Sequence, residues 1–408
     1  MAPVGSFESL AAALKAGADA VYFGIEGLNM RSRSSSNFNL EDLRNIVARC
    51  KERNVKTYLT VNTIIYDEDI PYMRSIVDVA GETGVTAIIA TDISTILYAR
   101  SKGVEVHIST QANISNIEAV KYFSQFADVM VLARELNLDQ VSAIHKAILE
   151  ENIRGPKGEL VRLEMFCHGA LCMAVSGKCY MSLHEMNSSA NRGACNQICR
   201  RSYRLTDMET NEEIEVDNKF LMSPKDLKTI HFLPKMVNAG VSVFKIEGRA
   251  RGPEYVYETV KCYSEALEAI CAGEFNDSKL EGWEERLGKI FNRGFWDGYY
   301  LGQRLGEWSH KYGSSATRVK KFVAKTVRYF SKLGVGEFRM ESGELHPGDE
   351  VILTGPTTGA LIFKVEELRL DLDPVEKVKK GDLFSMPVPS KVRPSDRLYL
   401  WEKVEPKT

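Results

Sequence analysis

The chain has 408 residues, long enough for two domains with ample core, and its 53 basic and 55 acidic residues nearly cancel. That balance carries no signal for nucleic acid, so any RNA-binding surface has to be a local patch. No apolar run reaches the roughly 18 residues of a membrane helix, and the first residues lack the basic, apolar and small-residue progression of a signal peptide, which places the protein in the cytoplasm with no membrane partner.

Residues 1–273 alternate strand and helix signals. Short apolar runs at Ala2–Val4, Ala20–Phe23, Thr57–Val61, Ala87–Ala90, Val104–Ile108, Val129–Ala133, Leu163–Phe166 and Val243–Ile246 read as eight strands. Between them, Phe7, Leu10 and Leu14 share a helical face, as do Leu40, Leu43 and Val47, with Asn39 as N-cap and Asp42 three residues on. Further helices are expected over Ile70–Gly81, Ile93–Lys102, Ile117–Phe126, Leu138–Leu149, Leu227–Ala239 and Pro253–Ala272. Eight strand–helix units predict a parallel (β/α)8 barrel of the TIM type as the catalytic domain. A doubly wound open sheet is the alternative, but no G-x-G-x-x-G follows an early strand.

After the seventh strand, Glu164–Tyr203 holds five of the eight cysteines: Cys167, Cys172, Cys179, Cys195 and Cys199. Thiols gathered among glycines in a reducing compartment point to a metal, zinc or iron–sulfur, rather than to disulfides or core packing. Zinc sites favour two close pairs, whereas only Cys195 and Cys199 are close here. The unequal spacing from Cys172 to Cys199 suits a [4Fe–4S] cluster better. Five thiols compete for four positions, with Cys167 the rival of Cys199.

Residues 274–318 form an aromatic and glycine-rich connector in which Phe295, Trp296, Tyr299 and Tyr300 pack between domains or stack on nucleobases. Residues 319–408 show short alternating strands with turns at Ser342-Gly343, Pro347-Gly348-Asp349, Gly355-Pro356 and Gly381-Asp382. They predict a small antiparallel β-barrel whose phrases Leu345–Val351 and Val378–Leu383 resemble the second domain of translation elongation factors.

The cysteine stretch also carries a resemblance. Glu164–Cys172, Gly177–Ser182 and Asn191–Arg201, with Met1–Gly5, Gly17–Gly24, Phe244–Arg249 and Phe291–Phe295, resemble the signature of the peptidase U32 family across nearly the whole chain. Within that family the chain looks most like the tRNA hydroxylation protein branch. The resemblance implies a [4Fe–4S]-dependent, oxygen-independent 5-hydroxylation of the wobble uridine in the tRNA anticodon loop. It also implies prephenate as a required metabolite and an electron donor that no motif identifies. Many members carry a further cysteine after a Lys-Asp-Leu phrase, where this chain has Lys228. The family's older name implies a peptidase, yet the sequence has neither an H-E-x-x-H motif nor a G-x-S-x-G elbow. A non-catalytic RNA-binding or assembly subunit is the third reading.

In a (β/α)8 barrel the loops after the strands converge on one face. That brings together Arg31, Arg33, Asn62, Asp92, Ser109, Thr110, Gln111, Asn113, Arg134, Glu135, His168, Glu247 and Arg249, with the cysteine stretch, Cys172, Cys179, Cys195 and Cys199 foremost, over the mouth. Arg31, Arg33, Arg134 and Arg249 suit a carboxylate or phosphate. Glu135 and Glu247 are general bases or the partners that hold those arginines. His168 is a proton donor or a structural histidine, and Glu164 a hydrogen-bonding support. Arg192, Arg200, Arg201 and Arg204 around the cysteines, with Arg318, Lys320, Lys321, Lys325 and Arg328, form either a phosphate track or a solvated face.

Overall fold

The computed structural model describes residues 1–32, 37–201, 203, 205, 206, 208–210, 213, 214, 222–310 and 313–404. Arg33 and Arg204 lie outside the described residues. Strands β1 (Ala2–Pro3), β2 (Ala20–Phe23), β3 (Lys56–Val61), β4 (Ala87–Ala90), β5 (Val106–Ile108), β6 (Val129–Val131) and β7 (Arg162–Ala170) pair in parallel in chain order. A short hairpin of β8 (Leu205–Thr206) and β9 (Glu213–Ile214) follows the cysteines. Next, β10 (Asp226–Lys228) joins β7 antiparallel, β11 (Val241–Ile246) joins β7 in parallel, and β12 (Phe295–Trp296) extends β10. The two ends of the parallel run meet: Ile246 N–H donates to Met1 O at 3.1 Å, and Met1 N donates to Phe244 O at 2.8 Å.

Helices α1 (Phe7–Lys15), α2 (Leu40–Lys51), α3 (Ile70–Thr83), α4 (Ile93–Ser101), α5 (Ile117–Ser124) and α6 (Leu138–Glu150) each follow one strand. Most strand residues are buried because both faces are covered, which is why they read as unbroken apolar runs. Polar caps start the helices. Asn39 and Asp42 form a reciprocal capping box on α2, and Asn137 and Gln140 form one on α6. After β7 come α7 (Met181–Met186), α8 (Leu233–Asn238), α9 (Pro253–Cys271) and α10 (Asp277–Lys289). Among the described residues no helix is long and apolar enough to cross a membrane.

One expected helix is corrected. Leu227–Ala239 begins as β10, turns through a 3-10 segment at Ile230–Phe232, and is α-helical only over Leu233–Asn238. Pro234 is the reason, since proline fits the first turn of a helix and not its interior.

The aromatic stretch after α9 packs inward. Trp283, Leu287, Trp296 and Tyr300 belong to the same core as the strands, and Tyr300, 1% exposed, donates its hydroxyl to Phe166 O at 2.9 Å. Beyond it, an antiparallel sheet runs in the order Gly359–Lys364, Glu350–Gly355, Arg397–Lys403, Arg318–Phe330, Val335–Met340, Leu383–Pro387, Leu368–Leu370, Asp373–Val375. Its own core includes Val323, Phe338, Leu353, Phe384 and Leu398.

That sheet rests on α1 and α9, with a further contact from α2. Lys15 Nζ donates to Thr358 O at 2.7 Å and Arg49 to Pro356 O at 3.2 Å. Gly359 sits at φ +70°, and a Cβ there would lie 2.7 Å from Ala12 N and 2.9 Å from Ala11 C. Gly359→Ala is therefore expected to cost about 1–3 kcal/mol through backbone strain and a forced separation from α1. Urea unfolding would show it as a lower midpoint.

Candidate active site

The strand ends build one cavity. Tyr22 on β2, Thr60 on β3, Ile89 on β4, Phe166 and Ala170 on β7 and Lys245 on β11 form its floor and walls. Residues just past the strands complete it: Met30, Arg31, Asn62, Ser109, Thr110, Gln111, Arg134, Glu247 and Arg249. The cysteine loop contributes Cys172, Cys179, Cys195, Cys199, Ser176 and Arg200. The empty space, open mouth included, is about 1140 Å³.

Glu247 is the electrostatic centre. Its carboxylate accepts from Arg31 at 2.7 Å and from the Tyr22 hydroxyl at 3.2 Å. Burial raises its pKa, but Arg31, Arg249 and Arg134 outweigh burial and hold it at about 2. Glu247 is thus a fixed anion at neutral pH and a weak base. Arg249 donates to Asn29 Oδ1 and Thr60 Oγ1, both at 3.0 Å. Arg249 Nε and Gln111 Oε1 are buried with no hydrogen-bond partner among the described residues. Buried polar groups are normally paired, so an unmet donor and an unmet acceptor on one cavity wall suit a polar ligand.

Arginines pin the cysteine loop over this floor. Arg134, stacked 4.9 Å over the Phe166 ring, donates to Ala170 O at 3.3 Å and Ser176 Oγ at 3.1 Å. Arg200 donates to Leu171 O at 2.5 Å, Pro224 O at 2.6 Å and Ser223 Oγ at 2.9 Å. Close approach explains two glycines. A Cβ on Gly177 would lie 2.1 Å from Gln111 Oε1, and one on Gly193 2.2 Å from Asn29 O; both residues have positive φ.

Cys172, Cys179, Cys195 and Cys199 are free thiols on the wall of the one cavity and are the residues that could hold a metal group. Burial pushes the Cys199 thiol up to about 11, with the other three thiols adding to the rise. Among the described residues, no three His, Cys, Asp or Glu side chains surround a single point closely enough for one metal ion. Zinc needs its sulfur donors about 2.3 Å from one centre. Four thiols are the donor set that a four-iron cluster takes, one at each iron.

Other expected residues lie elsewhere. Cys167 is fully buried, its thiol near Lys245 O at 3.4 Å, and burial drives that thiol up to about 12. His168 does not line the cavity. A bulge in the β7–β11 register, with Lys245 facing Phe166 and Ile246 facing His168, breaks strand alternation and turns the imidazole toward Tyr263, Tyr255 and Phe295. Burial, with Lys228 nearby, lowers its pKa to about 3, so it is neutral. Glu135 lines a smaller adjoining cleft with Trp296, Tyr299 and Trp308. Asp92 is the N-cap of α4 and also accepts from Ile65 N at 3.0 Å. Lys228 pairs with Glu284. Sequence reasoning missed Lys245 and Tyr22 as lining residues; the signal was a lone lysine inside the apolar run of β11.

The basic clusters are largely neutralised. Arg318 pairs with Glu350, Lys320 with Glu254, Lys321 with Glu402, Lys325 with Glu341 and Arg328 with Glu337, while Arg192 pairs with Asp69 and Arg201 with Glu185.

The model of peptidase family U32 matches residues 5–310. A Porphyromonas gingivalis protein named collagenase is 64% identical over 99% of this chain and 98% of its own length. The Bacillus subtilis tRNA hydroxylation protein P1 is 33% identical over 90% of this chain and 86% of its own. The Escherichia coli 23S rRNA 5-hydroxycytidine synthase is 37% identical over 71% of this chain and 43% of its own.

Proposed function

The chain belongs to peptidase family U32, and we propose that it is an iron–sulfur enzyme that hydroxylates RNA without oxygen, its target the C5 of the wobble uridine in a tRNA anticodon loop. The observation that carries this is the meeting of four free cysteines with Arg31, Arg134, Arg249 and Glu247 in a single cavity. Two relatives named for RNA hydroxylation support it. On this reading the eight parallel strands close as a TIM-type barrel, with the Met1 to β11 hydrogen bonds as the seam, and the C-terminal sheet curls into a β-barrel.

Cys172, Cys179, Cys195 and Cys199 would hold a [4Fe–4S] cluster, which supplies one-electron chemistry when bound. The chain's own residues bind and orient. Arg31, Arg134 and Arg249 offer planar donors to an anion, and the carboxylate metabolite prephenate is the favoured co-substrate. Glu247 holds Arg31 rather than moving a proton. A wobble base in a single-stranded loop is already unstacked, so it enters the mouth without extrusion from a duplex. An electron donor of unidentified nature completes the reaction.

Anaerobically purified protein incubated with unmodified tRNA, reductant and prephenate is expected to yield 5-hydroxyuridine in digested nucleosides. Absence of any hydroxylated nucleoside with cluster-replete protein defeats the reading. Prephenate alone is expected to raise the melting temperature, and a flat titration removes it as the co-substrate.

The collagenase name of the 64% identical relative favours a second reading. The cavity opposes it: among the described residues none that line it is a histidine, so Ser109, Thr110 and Ser176 have no imidazole base there. Cys167 and His168 form no nucleophile pair either, the thiol held protonated and the imidazole packed behind the strand. Casein and gelatin digestion by metal-replete protein tests the peptidase.

A further inference from the structure

A line of charged side chains leaves the cavity floor and crosses the parallel sheet's interior to the opposite face. Lys245, which lines the cavity and is 4% exposed, pairs with Glu164 Oε1 at 2.7 Å. The other carboxylate oxygen, Oε2, faces His107 Nδ1 at 4.0 Å. His107 Nε2 is 3.3 Å from Glu105 Oε1, and Glu105 pairs with Lys157. Glu164 is fully buried and His107 is 1% exposed, whereas the Lys157 side chain is 56% exposed. Glu105 precedes β5 and Lys157 precedes β7, so both stand at the strand starts, while the cavity stands at the strand ends.

Packing alone does not account for this line. Around it the interior is Ala20, Tyr22, Tyr58, Ala87 and Ile89, and buried ion pairs are commonly no more stable than apolar residues of the same volume. His107 Nδ1 and Glu164 Oε2 are both buried and lack a hydrogen-bond partner among the described residues, yet they face each other. A shift of about 1 Å closes that gap to hydrogen-bond length. Two unsatisfied groups one small motion apart are what a proton hop requires, and a static support would keep them bonded.

We propose that Lys245, Glu164, His107 and Glu105 form a proton path that connects the cavity to solvent at the opposite face. The Lys245 ammonium delivers a proton into the cavity, and the amine regains one from protonated Glu164. That proton comes from His107 as imidazolium: Nε2 first takes a proton at the Glu105 end, then Nδ1–H passes to the Glu164 carboxylate and leaves the ring neutral. No electron moves, and the reverse sequence carries a proton out. The charged and titratable groups facing the path are the Tyr58 ring 4.6 Å from His107, the Tyr22 ring 4.7 Å from Lys245, the Met1 amine near Glu164 and Lys245, and Lys157. The catalytic role rests on the enzyme reading above, and Lys245 is its only member that touches the cavity; the other three act through it.

Two measurements test it, and only one needs turnover. In histidine-labelled protein, the His107 imidazole signal is expected to titrate with bulk pH, and Lys245→Met is expected to move its midpoint by about half a pH unit or more. A signal that never titrates, or a midpoint unmoved by Lys245→Met, overturns the path. In RNA hydroxylation, Glu164→Gln and the near-surface Glu105→Gln are both expected to lower kcat about tenfold or more at unchanged KM, with a larger solvent isotope effect. Loss in Glu164→Gln alone, with Glu105→Gln like wild type, reduces the line to a structural ion pair. No turnover by wild type defeats the enzyme reading instead, and the imidazole titration still decides whether the path exists.

Discussion

Single alanine replacements at Cys172, Cys179, Cys195 and Cys199 are expected to strip anaerobically purified protein of its iron and sulfide, while Cys167→Ala leaves both in place. The expectation follows from position. The first four thiols line one cavity, and Cys167 is buried behind it with its thiol held protonated. Cys167 is fully buried with its thiol against Lys245 O, outside the cavity that the other four line. Wild type should carry about four irons and four sulfides per chain with the broad visible absorption of a [4Fe–4S] cluster. RNA hydroxylation should vanish with the cluster in all four variants. Iron retained in Cys199→Ala but lost in Cys167→Ala would reverse the assignment of the fourth ligand. Zinc in place of iron, or no metal after reconstitution, would remove the redox mechanism and favour a non-catalytic RNA-binding role.

That Cys172, Cys179, Cys195 and Cys199 meet at the strand ends was readable from their place after the seventh strand, and the strands were readable because parallel strands covered on both faces become apolar runs. What stayed hidden depends on through-space partners. Lys320 reads as part of a basic patch until Glu254, on α9, is found beside it. His168 follows a run whose alternation predicts its direction, and a one-residue bulge opposite β11 turns it away. Lys245 and Glu164 sit in different strands 81 positions apart, and only the sheet brings them to 2.7 Å. Leu227–Ala239 has helical spacing, yet Pro234 and the pairing of β10 with β7 divide it. Local pattern therefore located the mouth of the site, and tertiary contacts determined which of its charges are spent on one another.

Glu247→Gln is expected to destabilise the protein by about 3 kcal/mol at neutral pH and to weaken anion binding in the cavity. An ordinary glutamate titrates near 4.3 when unfolded. In the fold its value is about 2, because the surrounding arginines outweigh the cost of burial. The folded value lies below the unfolded one, so the contribution is fully present above about pH 4.3. It is lost as pH falls through about 2, and the interval corresponds to about 3 kcal/mol. The glutamine variant has no such titration. Denaturant melts of the two proteins should therefore lie farthest apart at neutral pH and draw together as the pH is lowered from about 4 toward 2. A gap that stays constant across that range would mean that the loss comes from packing rather than charge. The same substitution takes from Arg31 the carboxylate it pairs with and removes a neighbouring negative charge from Arg249. Arg249 keeps its hydrogen bonds to Asn29 and Thr60, so the loss of aim falls on Arg31. A prephenate affinity that rises in Glu247→Gln would show that the carboxylate competes with the ligand for the arginines, whereas the expected fall shows that it aims Arg31.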